Sequence, residues 1–153
     1  MARSREVLLV EDDPAWALLT SEAFADAAPE VSVQRCSTGR DALARFRVEP
    51  WPDAVLLDLN LPDLDGVDVL RALRGLPGAQ DLVVVVLSAS RAAADRSLAE
   101  QLGATAYREK PTTYSELLAL ARDVAHGATE AFPPDRSTQR VWFERSLRGP
   151  EQP

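Results

Sequence analysis

The run Leu82-Val83-Val84-Val85-Val86-Leu87 is aliphatic from end to end and carries no charge. A run of that length without alternation fits a strand covered on both faces, as in a parallel sheet with helices on either side. The rest of the chain repeats the theme. Val7–Val10, Val31–Cys36, Ala54–Leu59 and Ala104–Arg108 are further strand-length runs, each followed by a segment whose apolar residues recur at helical spacing. This alternation predicts an α/β fold with a parallel sheet. Right-handed crossovers wind its five strands into a doubly wound sheet with helices on both faces.

Punctuation sets the element ends. Pro14, after Glu11-Asp12-Asp13, suits the first turn of a helix running to about Ala27. The second strand is interrupted by polar residues and reads as more exposed. Ser37-Thr38-Gly39 is a turn before a short helix over Asp41–Phe46, and Pro50-Trp51-Pro52 precedes the third strand. A third helix follows Gly66, with Val67, Leu70 and Leu73 on one face. A fourth spans about Ala92 to Leu102 and stops at Gly103, and a fifth runs from about Thr113 to Ala125.

Beyond residue 126 the character changes. Pro133-Pro134 is followed by the apolar cluster Val141-Trp142-Phe143 and by Leu147, while four arginines (136, 140, 145, 148) offset four acids (130, 135, 144, 151). That segment is too short for a second domain. We expect one domain over residues 1–126 and an extension over 127–153, partly helical about Arg136–Arg148, that packs on the domain or joins a homodimer.

The 153 residues suffice to bury a core. A formal net charge of −7 speaks against nucleic acid or an anionic membrane as partner. The single cysteine, Cys36, excludes an intrachain disulfide and a cysteine-rich zinc site. No apolar run reaches the ~18 residues of a membrane span, and residues 1–6 lack a signal-peptide core. The expected location is the cytoplasm.

In open α/β sheets ligands bind at the carboxyl ends of the strands. Here those ends carry Glu11-Asp12-Asp13, Asp58, Ser88 and, just after the fifth strand, Lys110. Asp58 sits inside an apolar strand, where an ionised carboxylate is costly without a partner. Converging carboxylates repel one another unless a hard cation lies among them, and Mg2+ suits two carboxylates, a backbone carbonyl and an incoming phosphate. Lys110 supplies a compact positive charge for Asp58 or a phosphoryl oxygen. Ser88 supplies a hydrogen-bond donor. Between metal and lysine, Asp58 becomes a carboxylate nucleophile for phosphoryl transfer.

The stretches LLVEDDP, VLLDLNLPDLDG, VVVVLSAS and GATAYREKP together resemble the receiver domain of bacterial two-component response regulators, over about residues 5–126. The resemblance implies the flavodoxin-like receiver fold, with strand order 2-1-3-4-5. It implies that Asp58 accepts a phosphoryl group from a sensor histidine kinase or phosphotransfer protein. It further implies that Asp12 binds Mg2+ directly, Glu11 through water, and Asn60 through its main-chain carbonyl. Ser88 is then the switch hydroxyl, Tyr107 the aromatic that turns inward with it, and Lys110 the charge partner, its bond to Pro111 expected cis. Serine replaces the commoner threonine at the switch, which leaves the hydroxyl chemistry intact. Nothing after residue 126 resembles a DNA-binding output domain, so the resemblance is to a stand-alone receiver whose output is contact with another protein. The Leu59-Asn60-Leu61-Pro62 motif and the tail tryptophan resemble regulators paired with bacterial phytochromes.

Simpler readings stand beside these. Glu11-Asp12-Asp13 also reads as a helix N-cap, and Tyr107 as a core tyrosine. Asp63 and Asp65 fit turn and capping chemistry. Trp16 and Trp51 fit packing, although Trp16 lies one turn from the acids and would report on metal or phosphate by fluorescence. His126, the one histidine, fits a helix C-terminus, so a histidine phosphodonor must come from another protein. Two other function classes remain. A magnesium-dependent aspartyl phosphatase usually has a second acid two residues after the nucleophile, where this chain has Asn60. A binding module that never phosphorylates would have no need of the full set.

Overall fold

The computed structural model describes residues 5–89 and 93–129. The chain runs β1 (Arg5–Val10), α1 (Pro14–Ala27), β2 (Val31–Cys36), α2 (Gly39–Arg45), β3 (Ala54–Asp58) and α3 (Gly66–Arg74). A 3-10 turn over Ala79–Asp81 leads to β4 (Val83–Ser88), α4 (Ala93–Gln101), β5 (Ala106–Glu109) and α5 (Tyr114–Thr129). The sheet is parallel throughout, ordered β2-β1-β3-β4-β5, the doubly wound order expected. The stretch read as a tail helix, Arg136–Arg148, lies outside the described residues.

Burial follows the apolar pattern. Val7–Val10, Ala54–Leu57 and Val83–Leu87 are buried and form the centre of the core. The edge strand β2 alternates and exposes Ser32, Gln34 and Arg35. On the helical layers α1 packs along α5, with Ala17, Thr20, Ala23 and Phe24 buried, and α2 packs on α3.

Element ends shift from the periodic reading for identifiable reasons. Helix α2 starts at Gly39 because Thr38 caps it, its hydroxyl accepting from the Asp41 N–H at 3.1 Å. Strand β5 begins at Ala106 rather than Ala104, after a turn in which Gly103, with a φ of 91°, is left-handed. It ends on Glu109, opposite Ser88. Strand β3 ends at Asp58 rather than Leu59, because the chain then folds back onto the start of α3. At Gly66 a Cβ would lie 2.5 Å from the Leu59 Cα and 2.8 Å from the Asp58 carbonyl oxygen. Any side chain there would displace the strand end that carries Asp58.

Among the described residues the one cis peptide bond is Glu49–Pro50; Lys110–Pro111 is trans.

Candidate functional site

The strand register brings the predicted residues into one cleft. Asp58 pairs with Leu87 across β3 and β4, so Ser88 lies one residue further toward the cleft. The Lys110 N–H donates to the Ser88 carbonyl at 2.8 Å, continuing the ladder past β5. Glu11 continues β1 in the same way, its N–H donating to the Cys36 carbonyl at 3.0 Å. Glu11, Asp58 and Ser88 are 1, 3 and 2% exposed, whereas Asp12 is open to solvent.

Lys110 bridges two of the acids. Its Nζ donates to Glu11 Oε1 at 2.9 Å and to Asp58 Oδ2 at 3.2 Å. The other Asp58 oxygen, Oδ1, accepts from the Asn60 main-chain N–H at 2.9 Å. Glu11 Oε1 also accepts from the Asp13 N–H at 3.1 Å, while Glu11 Oε2 is buried without a hydrogen-bond partner. One carboxylate oxygen from each of Glu11, Asp12 and Asp58 can be chosen so that all lie within 4.8 Å of one another.

Charge is unbalanced here. Burial raises the Glu11 carboxyl from 4.5 to about 7, and Asp58 beside it adds to the rise more than Lys110 offsets. Burial pulls the Lys110 ammonium down, but its contacts with Glu11 and Asp58 outweigh that and raise it. The two shifts pull against each other, since the lysine is favoured by an anionic Glu11. One ammonium cannot neutralise two buried carboxylates, so Lys110 stays charged and Glu11 is the carboxyl left to take up a proton. An orphaned buried oxygen among three carboxylates fits a hard cation with oxygen ligands.

The triplet Glu11-Asp12-Asp13 divides its roles. Asp13 is the N-cap of α1, its Oδ1 accepting from the Ala15 and Trp16 N–H groups at 3.0 and 3.4 Å. Glu11 and Asp12 face the cleft. Asp65 caps α3 through the Val67 N–H at 2.9 Å. Asp63 reaches across to the first turn of α2 and accepts from the Gly39 and Arg40 N–H groups at 2.9 and 3.0 Å. Burial is the largest single influence and raises its carboxyl, but the backbone N–H groups of Gly39, Arg40, Asp63 and Leu64 together outweigh it and hold the group below the usual carboxylate range. Tyr107 lies outside the acidic cluster, paired with Val86 and fully buried, with the Arg96 guanidinium carbon 5.9 Å from its ring centroid. His126 falls in the last turn of α5.

Two sets of site contacts were not legible. Trp16, read as packing but placed one turn from the acids, donates from Nε1 to the Pro111 carbonyl at 3.1 Å, and its ring centroid lies 4.6 Å from Lys110 Nζ. Arg35 donates from Nε to the Glu11 carbonyl and from Nη2 to the Asp12 carbonyl, both at 3.1 Å. Its signal was an arginine at the end of an edge strand beside the acidic loop.

Comparison with known proteins agrees with this fold. The family described as "Response regulator receiver domain" matches residues 7–122. The transcriptional regulatory protein KdpE of Mycobacterium tuberculosis is 38% identical over 125 residues, covering 82% of this chain and 53% of the relative. The response regulator MprA of Mycolicibacterium vanbaalenii is 36% identical over 143 residues, covering 92% and 59%. The chain thus spans about half the length of the curated relatives it matches.

Among solved structures, the phosphorylated cyanobacterial phytochrome response regulator RcpA superposes with a TM-score of 0.76 at 30% identity, covering 84% of this chain and 96% of that one. The response regulator RPA3017, in red light signalling of R. palustris, gives a TM-score of 0.72 at 33% identity, covering 80% and 92%. Fold and site define a two-component signalling module of the flavodoxin-like type. The chain belongs to the response regulator receiver domain family. Such domains interact with histidine kinases or phosphotransfer proteins and bind Mg2+ in an acidic pocket, and the cluster of Glu11, Asp12 and Asp58 is able to hold a metal. No helix among the described residues is long and apolar enough to cross a membrane.

Proposed function

We propose that Asp58 is the phosphoacceptor of a phosphorylation-controlled receiver. The observation that carries this is its geometry: a carboxylate buried at a strand end, 3.2 Å from Lys110 Nζ and beside the unpartnered Glu11 Oε2. An Asp58 carboxylate oxygen attacks the phosphorus of a phosphohistidine; the new P–O bond forms as the P–N bond breaks and the imidazole leaves. Lys110 balances the transferred charge, and the Ser88 hydroxyl donates to a phosphoryl oxygen. Asp12, Asp58 and the Asn60 main-chain carbonyl would hold Mg2+ directly, with Glu11 acting through water. Bound there, the cation supplies charge neutralisation for the acidic cleft and the phosphoryl oxygens.

Ser88 moving toward the phosphoryl group, with Tyr107 following, passes the change to α4, β5 and α5. The phosphoryl group biases a two-state equilibrium there and changes which protein is bound. Two structural neighbours are named for phytochrome or red-light signalling, which supports a phytochrome-type histidine kinase as donor.

Incubation with Mg2+ and acetyl phosphate is expected to add one phosphoryl group, seen by intact mass, and Asp58→Asn is expected to abolish it. No adduct on the parent chain, by this route or with beryllium fluoride, would leave a binding module. Multiple-turnover release of phosphate from unrelated phosphoesters would instead make it a phosphatase. A donor of the phytochrome type is tested by transfer from the phosphorylated kinase, compared with a kinase of another sensor class.

A further inference from the structure

Lys110 is the least constrained member of the cleft by covalent structure, because its charge sits on four rotatable bonds. Two carboxylates hold its ammonium on one side. Trp16 covers another, with its ring centroid 4.6 Å from Nζ, within the ~6 Å range of cation–π attraction. Residue 16 is itself fixed at three points, two on its main chain and one on the indole. The Asp13 cap receives the Trp16 N–H, the Thr20 hydroxyl donates to the Trp16 carbonyl at 2.8 Å, and the indole Nε1 donates to the Pro111 carbonyl at 3.1 Å. The last bond ties α1 to the residue that follows Lys110.

We propose that Trp16 is a positioning residue for phosphoryl transfer: its ring and its tether to Pro111 hold the Lys110 ammonium against Asp58. An aromatic face suits this task better than a third carboxylate. It attracts the cation while leaving the ammonium N–H groups to Glu11, Asp58 and an incoming phosphoryl oxygen. The proposal rests on the reading of Asp58 as phosphoacceptor.

The test is a double-mutant cycle between Trp16 and Lys110. Trp16→Leu, which removes ring and tether, is expected to slow phosphorylation by acetyl phosphate about five- to thirty-fold, the range of a partly desolvated cation–π contact. Trp16→Phe, which keeps a ring and loses the tether, is expected to fall less. In a Lys110→Ala background, Trp16→Leu is expected to cause no further loss. If that background reacts too slowly, the dissociation constant of the beryllium fluoride adduct is read instead. Equal fold losses in both backgrounds would assign Trp16 a structural role and overturn the proposal. A second readout needs no phosphorylation: the Lys110 ε-methylene proton resonances are expected upfield through the indole ring current, and to return toward ordinary values in Trp16→Leu. Unshifted resonances in the parent would overturn the stacking. Absence of any adduct in the parent, with the resonances shifted, would overturn the phosphoacceptor reading and the positioning role with it, while leaving the contact established.

Discussion

Glu11 concentrates the chemistry of the cleft in one carboxyl. It is 1% exposed, shares Lys110 with Asp58, and has one oxygen without a partner. Its carboxyl, raised by burial and by Asp58 from 4.5 to about 7, keeps in the folded chain a proton that the unfolded chain has already released. Between those two values the native state therefore binds more protons, and the contribution of Glu11 to stability falls as pH rises through the window. A cation entering the cleft must compete with that proton. Mg2+ affinity is accordingly expected to strengthen from about pH 6 to about pH 8, most steeply near the raised value. Glu11→Gln is expected to flatten most of that dependence. Calorimetric titration of both proteins with Mg2+ at several pH values is the measurement. A parent profile as flat as that of the variant would refute the proton competition. Trp16 fluorescence offers a second signal, since its indole lies against the Lys110 ammonium that adjoins the proposed metal site.

Between elements, long polar side chains set the angles that the apolar pattern leaves open. Arg74, at the end of α3, donates from Nε to the Gly103 carbonyl at 2.7 Å, from Nη1 to the Ala79 carbonyl at 2.7 Å, and from Nη2 to the Thr105 hydroxyl at 3.2 Å. That hydroxyl oxygen also accepts the Val84 N–H at 3.0 Å. One guanidinium thus joins α3, the 3-10 turn, the α4–β5 turn and β4. Arg74→Ala is expected to cost about 2–3 kcal/mol, because partly buried carbonyls lose a charged donor. Arg74→Lys should restore little, since an ammonium cannot reproduce the fork. Urea unfolding decides, and a loss near zero would mean that water replaces the fork. The strands were legible because β1, β3 and β4 are buried on both faces and read as unbroken apolar runs. The site was legible because four of its residues sit at strand ends. Arg74, Arg35 and the bridge from Asp63 to α2 were not legible. Their partners lie on other elements, at separations no helical or strand period records.

At the scale of the whole molecule, the acidic cleft trades stability for a binding site. Glu11, Asp12 and Asp58 gather on one side of Lys110, so the cluster carries a formal charge of 1 − 3 = −2 when ionised. That excess is part of the chain's net charge of −7. Like charges in a half-buried cleft oppose folding, and a cation that binds only the folded chain returns that stability by mass action. At a hundred times its dissociation constant, Mg2+ is expected to stabilise the fold by about 2.7 kcal/mol, which raises Tm by roughly 5–15 °C for a domain of this size. Asp12→Asn separates the two effects, because Asp12 is exposed and its loss disturbs no core packing. In the presence of a chelator this variant is expected to melt at or above the temperature of the parent, since one repulsive charge is gone. With saturating Mg2+ it is expected to melt below the parent, since a carboxylate proposed to hold the metal is gone. Calorimetric melts of both proteins in chelator and in excess Mg2+ test the crossing of those two orders. Parallel shifts, with the variant displaced equally under both conditions, would show that Asp12 takes no part in holding the cation.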